Sequence, residues 1–131
     1  MSLSIGVHIC ERLGKSTELK KIVGDKIYPL STKTQTTFPF IVYRRTELTP
    51  NYAKDRYDIG DNVLVEIVVA DSNYTSSVNI AEAVRVALEH KRGVYALFSV
   101  VDAKLMSCDE KFIEETFVQS LIFSFETKPI K

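Results

Sequence analysis

His8-Ile9-Cys10 is the first stretch whose residue types suggest chemistry, because imidazole and thiolate both ligate metals. On a helix, residues i and i+2 point about 200° apart, so the pair cannot converge on one ion. The reading is a partly exposed histidine beside a packed cysteine. His90 falls in the last turn of a predicted helix, where the dipole favours an imidazolium and no catalytic role is needed. Asp109-Glu110 and Glu114-Glu115 invite comparison with the paired carboxylates of acid–base catalysis. Adjacent strand residues project to opposite faces and turns are acidic for solubility, so neither pair is taken as catalytic. Arg44-Arg45 splits between strand faces in the same way and makes no phosphate clamp. The five glycines are isolated, at positions 6, 14, 24, 60 and 93, and form no phosphate-cradling loop. Cys10 and Cys108 fit no zinc or redox spacing. Two reduced thiols is the reading, with a disulfide between them as the alternative. No catalytic, cofactor or metal residue is assigned, and the chain is expected to bind rather than to turn over a substrate.

The composition suits one folded domain over residues 1–131, with 45% hydrophobic and 26% charged residues. Lys+Arg and Asp+Glu balance at 17 each, which argues against a nucleic-acid partner that would require excess cation to displace counterions. No apolar run approaches the ~20 residues of a membrane span. Met1–Cys10 lacks a basic leader and is followed at once by Glu11 and Arg12, so it does not read as a signal peptide. The expectation is a cytoplasmic protein, or one built into a particle assembled there.

The elements that must position any binding surface follow from periodicity. Ser2 or Ser4 is expected to cap a helix running to Leu13, with Ile5, Ile9 and Leu13 as its apolar stripe and Gly14 at its end. Ser16-Thr17-Glu18-Leu19 starts a short second helix that stops at Gly24. Apolar runs ending or starting at Pro29 and Pro39 read as two strands bracketed by prolines, which lack the amide a central strand needs. Between Asn62 and Asp71, Val63, Val65, Ile67 and Val69 alternate onto one face. A long helix from about Thr75 to His90 places Ile80, Val84, Ala87 and Leu88 together, and Lys91-Arg92-Gly93 supplies a basic last turn and a stop. A strand from about Leu97 to Ser107 turns at Cys108–Lys111 into a last strand, Glu115 to Thr127. The fold class is α+β in the order α-α-β-β-β-α-β-β. It has about five mostly antiparallel strands, a long helix across one face and an N-terminal helix.

Two features point to partners. Val118 and Ile122 interrupt the polar face of the last strand, and Leu64 and Val68 the back of the third, so all four are expected to be covered by the N-terminal helix or by a neighbouring subunit and are candidate subunit-interface residues. The loops Ser31–Thr37 and Leu48–Asp61 are long for so small a domain. Lys33 in the first, and Tyr52, Lys54, Arg56 and Tyr57 in the second, are candidate partner contacts.

The order Ile22-Val23-Gly24-Asp25-Lys26-Ile27-Tyr28-Pro29, then Phe38-Pro39-Phe40-Ile41-Val42-Tyr43, resembles the tail-completion, or tail-terminator, family of long-tailed bacteriophages and prophages. The strand Val63–Val69, the helix containing Ile80–Leu88 and a final hairpin extend the likeness from Leu3 to Thr127. The resemblance implies a non-enzymatic virion subunit that closes into a ring, usually a hexamer. That ring caps the tail-tube protein, stops its polymerisation and offers a surface to the head-side neck or connector proteins. It implies neither catalytic residues nor a cofactor. Another neck or tail component is the nearest alternative, followed by a cellular protein-binding module or a small enzyme with its site at an interface.

Overall fold

The computed structural model describes residues 2–31, 36–52 and 59–130. The first helix, α1 (Gly6–Gly14), begins at Ile5 without a side-chain cap. The two expected caps are therefore not used: Ser2 is buried and turned instead toward Asp61. The second, α2 (Thr17–Ile22), is capped as its sequence predicts, with the Ser16 hydroxyl accepting from the Leu19 amide at 3.2 Å. Gly24 ends this segment in the left-handed region at φ 62°.

Six strands follow among the described residues: β1 (Ile27–Pro29), β2 (Phe40–Pro50), β3 (Asp61–Asp71), β4 (Gly93–Val94), β5 (Phe98–Ile113) and β6 (Thr116–Pro129). They form one sheet in the order β1-β2-β3-β6-β5-β4. The α+β class and the mostly antiparallel pairing hold. The exception is β1, which runs parallel to β2, with Ile27 opposite Ile41 and Pro29 opposite Tyr43. Sequential strands in a mostly antiparallel sheet are expected to pair the other way. The end of β1 and the start of β2 lie at opposite ends of the pair, as a parallel pairing requires.

The alternation in β3 and β6 decides which face is the core. Val63, Val65, Ile67 and Val69 pair across to Phe125, Phe123, Leu121 and Gln119. The eight side chains face the helices, and all except Gln119 are buried. Helix α3 (Tyr74–Leu88) lies on this face through Ile80, Val84, Ala87 and Leu88, all buried in one cluster with Ile5, Ile9, Leu13 and Leu19. Gln119 meets it through the Ser77 hydroxyl at 3.3 Å. The result is two layers, with helices on one side of the sheet and the other side bare of described helices.

Three local expectations give way. Helix α3 stops at Leu88, since Glu89 is extended and His90 adopts φ 59°. His90 is thus beyond the helix, paired with Asp102 at 3.0 Å rather than capping the dipole, and Gly93 lies in β4 rather than serving as the stop. Cys108–Lys111 does not turn but continues β5. The turn is Glu114-Glu115, whose φ angles of 49° and 61° make the two-residue connection between Ile113 and Thr116.

Candidate functional site

The N-terminal pair read from sequence is inverted in space. His8 is fully buried and Cys10 is exposed. One ring nitrogen of His8, Nδ1, lies 2.7 Å from the Tyr95 hydroxyl, and the ring meets Tyr95 and Phe125 edge-on at 5.6 Å. Burial, helped by the nearby Arg12 charge, lowers the His8 pKa to about 4, so its imidazole is neutral at physiological pH. Burial and the neighbouring Glu11 push Tyr95 up to about 12. Cys10 Sγ sits 3.1 Å from the Tyr43 hydroxyl, and both cysteines are free. Among the described residues no three His, Cys, Asp or Glu side chains cluster as a metal site, and no helix is long and apolar enough to cross a membrane.

A second polar cluster ties the start of the chain to the sheet. Asp61 Oδ2 accepts from the Ser2 amide at 3.0 Å and the Ser2 hydroxyl at 2.6 Å, while Thr127 Oγ1 is 3.0 Å from Ser2 Oγ. All three residues are buried. This is fold chemistry: the groups satisfy one another and leave nothing aimed at a ligand.

The surfaces able to take a partner are larger. On the bare face, Leu64, Val68, Val118 and Ile122 are all half-buried. Their rows interlock, because Val68 pairs with Ser120, between Val118 and Ile122, and Leu64 with Ser124. Arg44, Glu66 and Ser120 form a polar strip among them, with Ser120 Oγ donating to Glu66 at 2.7 Å and Arg44 within 3.5 Å of the same carboxylate. The N-terminal helix, one expected cover for this patch, packs on the opposite face through His8–Phe125 and Cys10–Tyr43. The sheet's own side chains half-cover these residues, and no helix does so among the described residues.

Two further surfaces went unread in the sequence. At the β1–β2 edge, an open groove of about 390 Å³ lies between the start of α1 and β2, lined by Leu3, Val7, Leu30, Tyr43, Arg44 and Arg45 among others. Leu3, Val7 and Leu30 are 56%, 52% and 71% exposed. At the opposite edge, β5 carries Met106 at its mid-strand bulge and Phe112 and Ile113 at the hairpin end, exposed by 59%, 61% and 53%. Either group is scattered along the chain, so only the periodicity break at Met106 or the apolar pair Phe112-Ile113 offered a signal.

Of the loop candidates, Tyr52 is exposed, just past the end of β2. Lys33, Lys54, Arg56 and Tyr57 lie outside the described residues.

Residues 7–127 match the family described as Tail completion protein gp17. The chain belongs to that family. The match takes in α1 through β6, and with them both sheet edges and the bare face. The fold is similar to a chain of a solved structure, the virion of a native gene transfer agent particle, with a TM-score of 0.74 and 16% identity. The likeness covers 92% of this chain and 91% of that one. No curated protein matches the sequence.

Proposed function

We propose that this protein is a structural subunit of a phage-type tail that closes into a ring, of about six copies, on the end of the finished tail tube. The ring stops tube growth and presents its other side to the head-side neck or connector proteins. The observation that carries this reading is the family match across nearly the whole chain, and it supports a structural rather than a catalytic role. The particle would assemble in the bacterial cytoplasm and retain the protein in its tail or neck.

The surface chemistry is consistent with a subunit built to be covered. The chain exposes 7911 Å². Two interfaces of about 800 Å² per partner would take roughly a fifth of that, a share a small subunit can give to neighbours on both sides. The half-buried apolar patch of Leu64, Val68, Val118 and Ile122 is a candidate for contact with a partner in the particle. Disrupting the gene in a producing strain and imaging the particles tests the function. Tails of uncontrolled length without joined heads, restored by the gene in trans, are expected; normal tails on full particles would overturn the proposal.

A further inference from the structure

The end of the β5–β6 hairpin is built against its own local preferences. Glu114 and Glu115 both sit in the left-handed region, at φ 49° and 61°. A two-residue turn of this kind favours Asn-Gly, because positive φ strains most residues that carry a Cβ. Here it holds two adjacent carboxylates, which also repel each other. Strain of this kind is kept where the side chains serve something other than the turn.

The adjoining surface is aromatic. On the helix side of the sheet, Phe112 pairs with Phe117, and Phe117 with Asp71, in one row. The two phenylalanine rings lie 4.7 Å apart, and Tyr74, from the first turn of α3, meets Phe117 edge-on at 5.6 Å. Tyr74 and Phe112 are 46% and 61% exposed. Glu110 accepts from the Tyr74 hydroxyl at 3.0 Å and from Gln119 at 3.1 Å. Asp71 is buried, and its Oδ2 has no hydrogen-bond partner among the described residues. None of Asp71, Glu110, Glu114 and Glu115 joins an ion pair among those residues. Lys111 alternates onto the other face, opposite Val118. The hairpin end is therefore an exposed aromatic patch bordered by negative charge that nothing in the chain balances.

Charge selects the occupant. Nucleic acid and anionic lipid are both repelled by such a surface. A lysine or arginine side chain is attracted twice over, by the ring faces and by the carboxylates. The chain's own cations beside its hollows are already engaged, which makes a second copy the poorer match. Arg44 lies 3.5 Å from Glu66, Arg45 donates to the Leu3 carbonyl at 2.7 Å, and Lys15 is 3.1 Å from Glu11. We infer that the hairpin end docks a different protein, which lays a basic, partly apolar surface over Tyr74, Phe112 and Phe117. Glu110, Glu114 and Glu115 balance its lysines or arginines. This inference rests on the proposed role, in which the tube end is the surface met first, and it assigns those basic side chains to the tail tube.

The experiment uses the full chain with Glu114→Asn and Glu115→Gly together, which gives the turn its preferred residues and removes both charges. Its melting temperature is expected to rise by a few degrees, so that lost binding cannot be laid to misfolding. Co-sedimentation with tail tubes purified from a strain lacking the gene reads the contact. Wild-type binding is expected to weaken about tenfold between ~50 and ~300 mM salt. The turn variant is expected to bind about tenfold more weakly at the lower salt and to lose most of that salt dependence. Phe112→Ser should weaken binding several-fold and leave the salt dependence in place. Equal binding by the wild type and the turn variant overturns the inference. So does a variant that binds tubes normally but no longer forms rings or joins heads, since the occupant is then a second copy or a head-side protein. If the wild type binds no tubes although gene disruption leaves tails of uncontrolled length, this inference falls alone. If it binds none and disruption leaves tails normal, the proposed role falls as well.

Discussion

The imidazole of His8 reaches Tyr95 across 87 residues, Nδ1 to hydroxyl at 2.7 Å, inside a pocket closed by Phe125 and by Gly93. That contact joins α1 to the segment leading into β5 and makes the fold sensitive to acid. The His8 pKa is about 4 when folded, against 6.5 unperturbed. Between those values the unfolded chain binds a proton that the native chain refuses, so stability falls as pH falls through that window and is unaffected by His8 above it. The loss is of order 3 kcal/mol once pH 4 is reached. His8→Leu is expected to flatten the melting temperature between pH 6.5 and 4 relative to wild type. An unchanged slope would show that other groups carry the acid sensitivity.

Asp61→Ala is expected to destabilise the chain by about 2–3 kcal/mol, because the buried Ser2 amide and hydroxyl lose their shared acceptor. Thr127→Val, which removes one hydroxyl from the same cluster, should cost less, about 1 kcal/mol. Urea unfolding with unchanged m-values is the check. Equal costs would contradict the central place of the carboxylate.

Gly60→Ala is expected to cost more than ~2 kcal/mol. Its φ of 123° is a conformation L side chains rarely adopt, and a Cβ there would run into the Thr127 carbonyl oxygen. That carbonyl belongs to β6 and cannot swing aside. A melting temperature within a degree of wild type would rule out this backbone approach.

Tyr52→Ala combined with Arg56→Ala should leave the melting temperature of the isolated chain nearly unchanged while tail-length control or head joining fails. Tyr52 is 65% exposed, so its ring contributes little to the core and is well placed to meet a partner. A large drop in melting temperature with normal particles would assign the loop to the subunit's own fold.

Free DNA should bind weakly. The formal net charge is zero, so few phosphates can be neutralised. Fluorescence anisotropy with a duplex at ~200 mM salt should show no binding tighter than micromolar. Tight binding that survives that salt would contradict the expectation.

Local periodicity carried the elements and the core. Ile5, Ile9 and Leu13, the valine row of β3 and the Ile80–Leu88 stripe are all buried where their spacing places them, because side-chain direction is a property of the local helix or strand. The same rule exposed Leu64, Val68, Val118 and Ile122 as apolar residues on the wrong face, and β3–β6 pairing brings the four into adjacent rows. Boundaries were less legible: β5 runs on through Ile113 because the long pairing with β6 overrides the polar Cys108–Lys111 stretch.

The sequence by itself therefore determined the α+β class, the buried face and the family. Tertiary structure alone decided that His8 is inside and Cys10 outside, that Ser2 binds Asp61, and that β1 is parallel to β2. The physical reason is range. Helix and strand patterns depend on neighbours a few residues away, whereas His8–Tyr95 and Ser2–Asp61 require segments 87 and 59 residues apart to meet. Strand order and packing decide those meetings, and no local repeat encodes them.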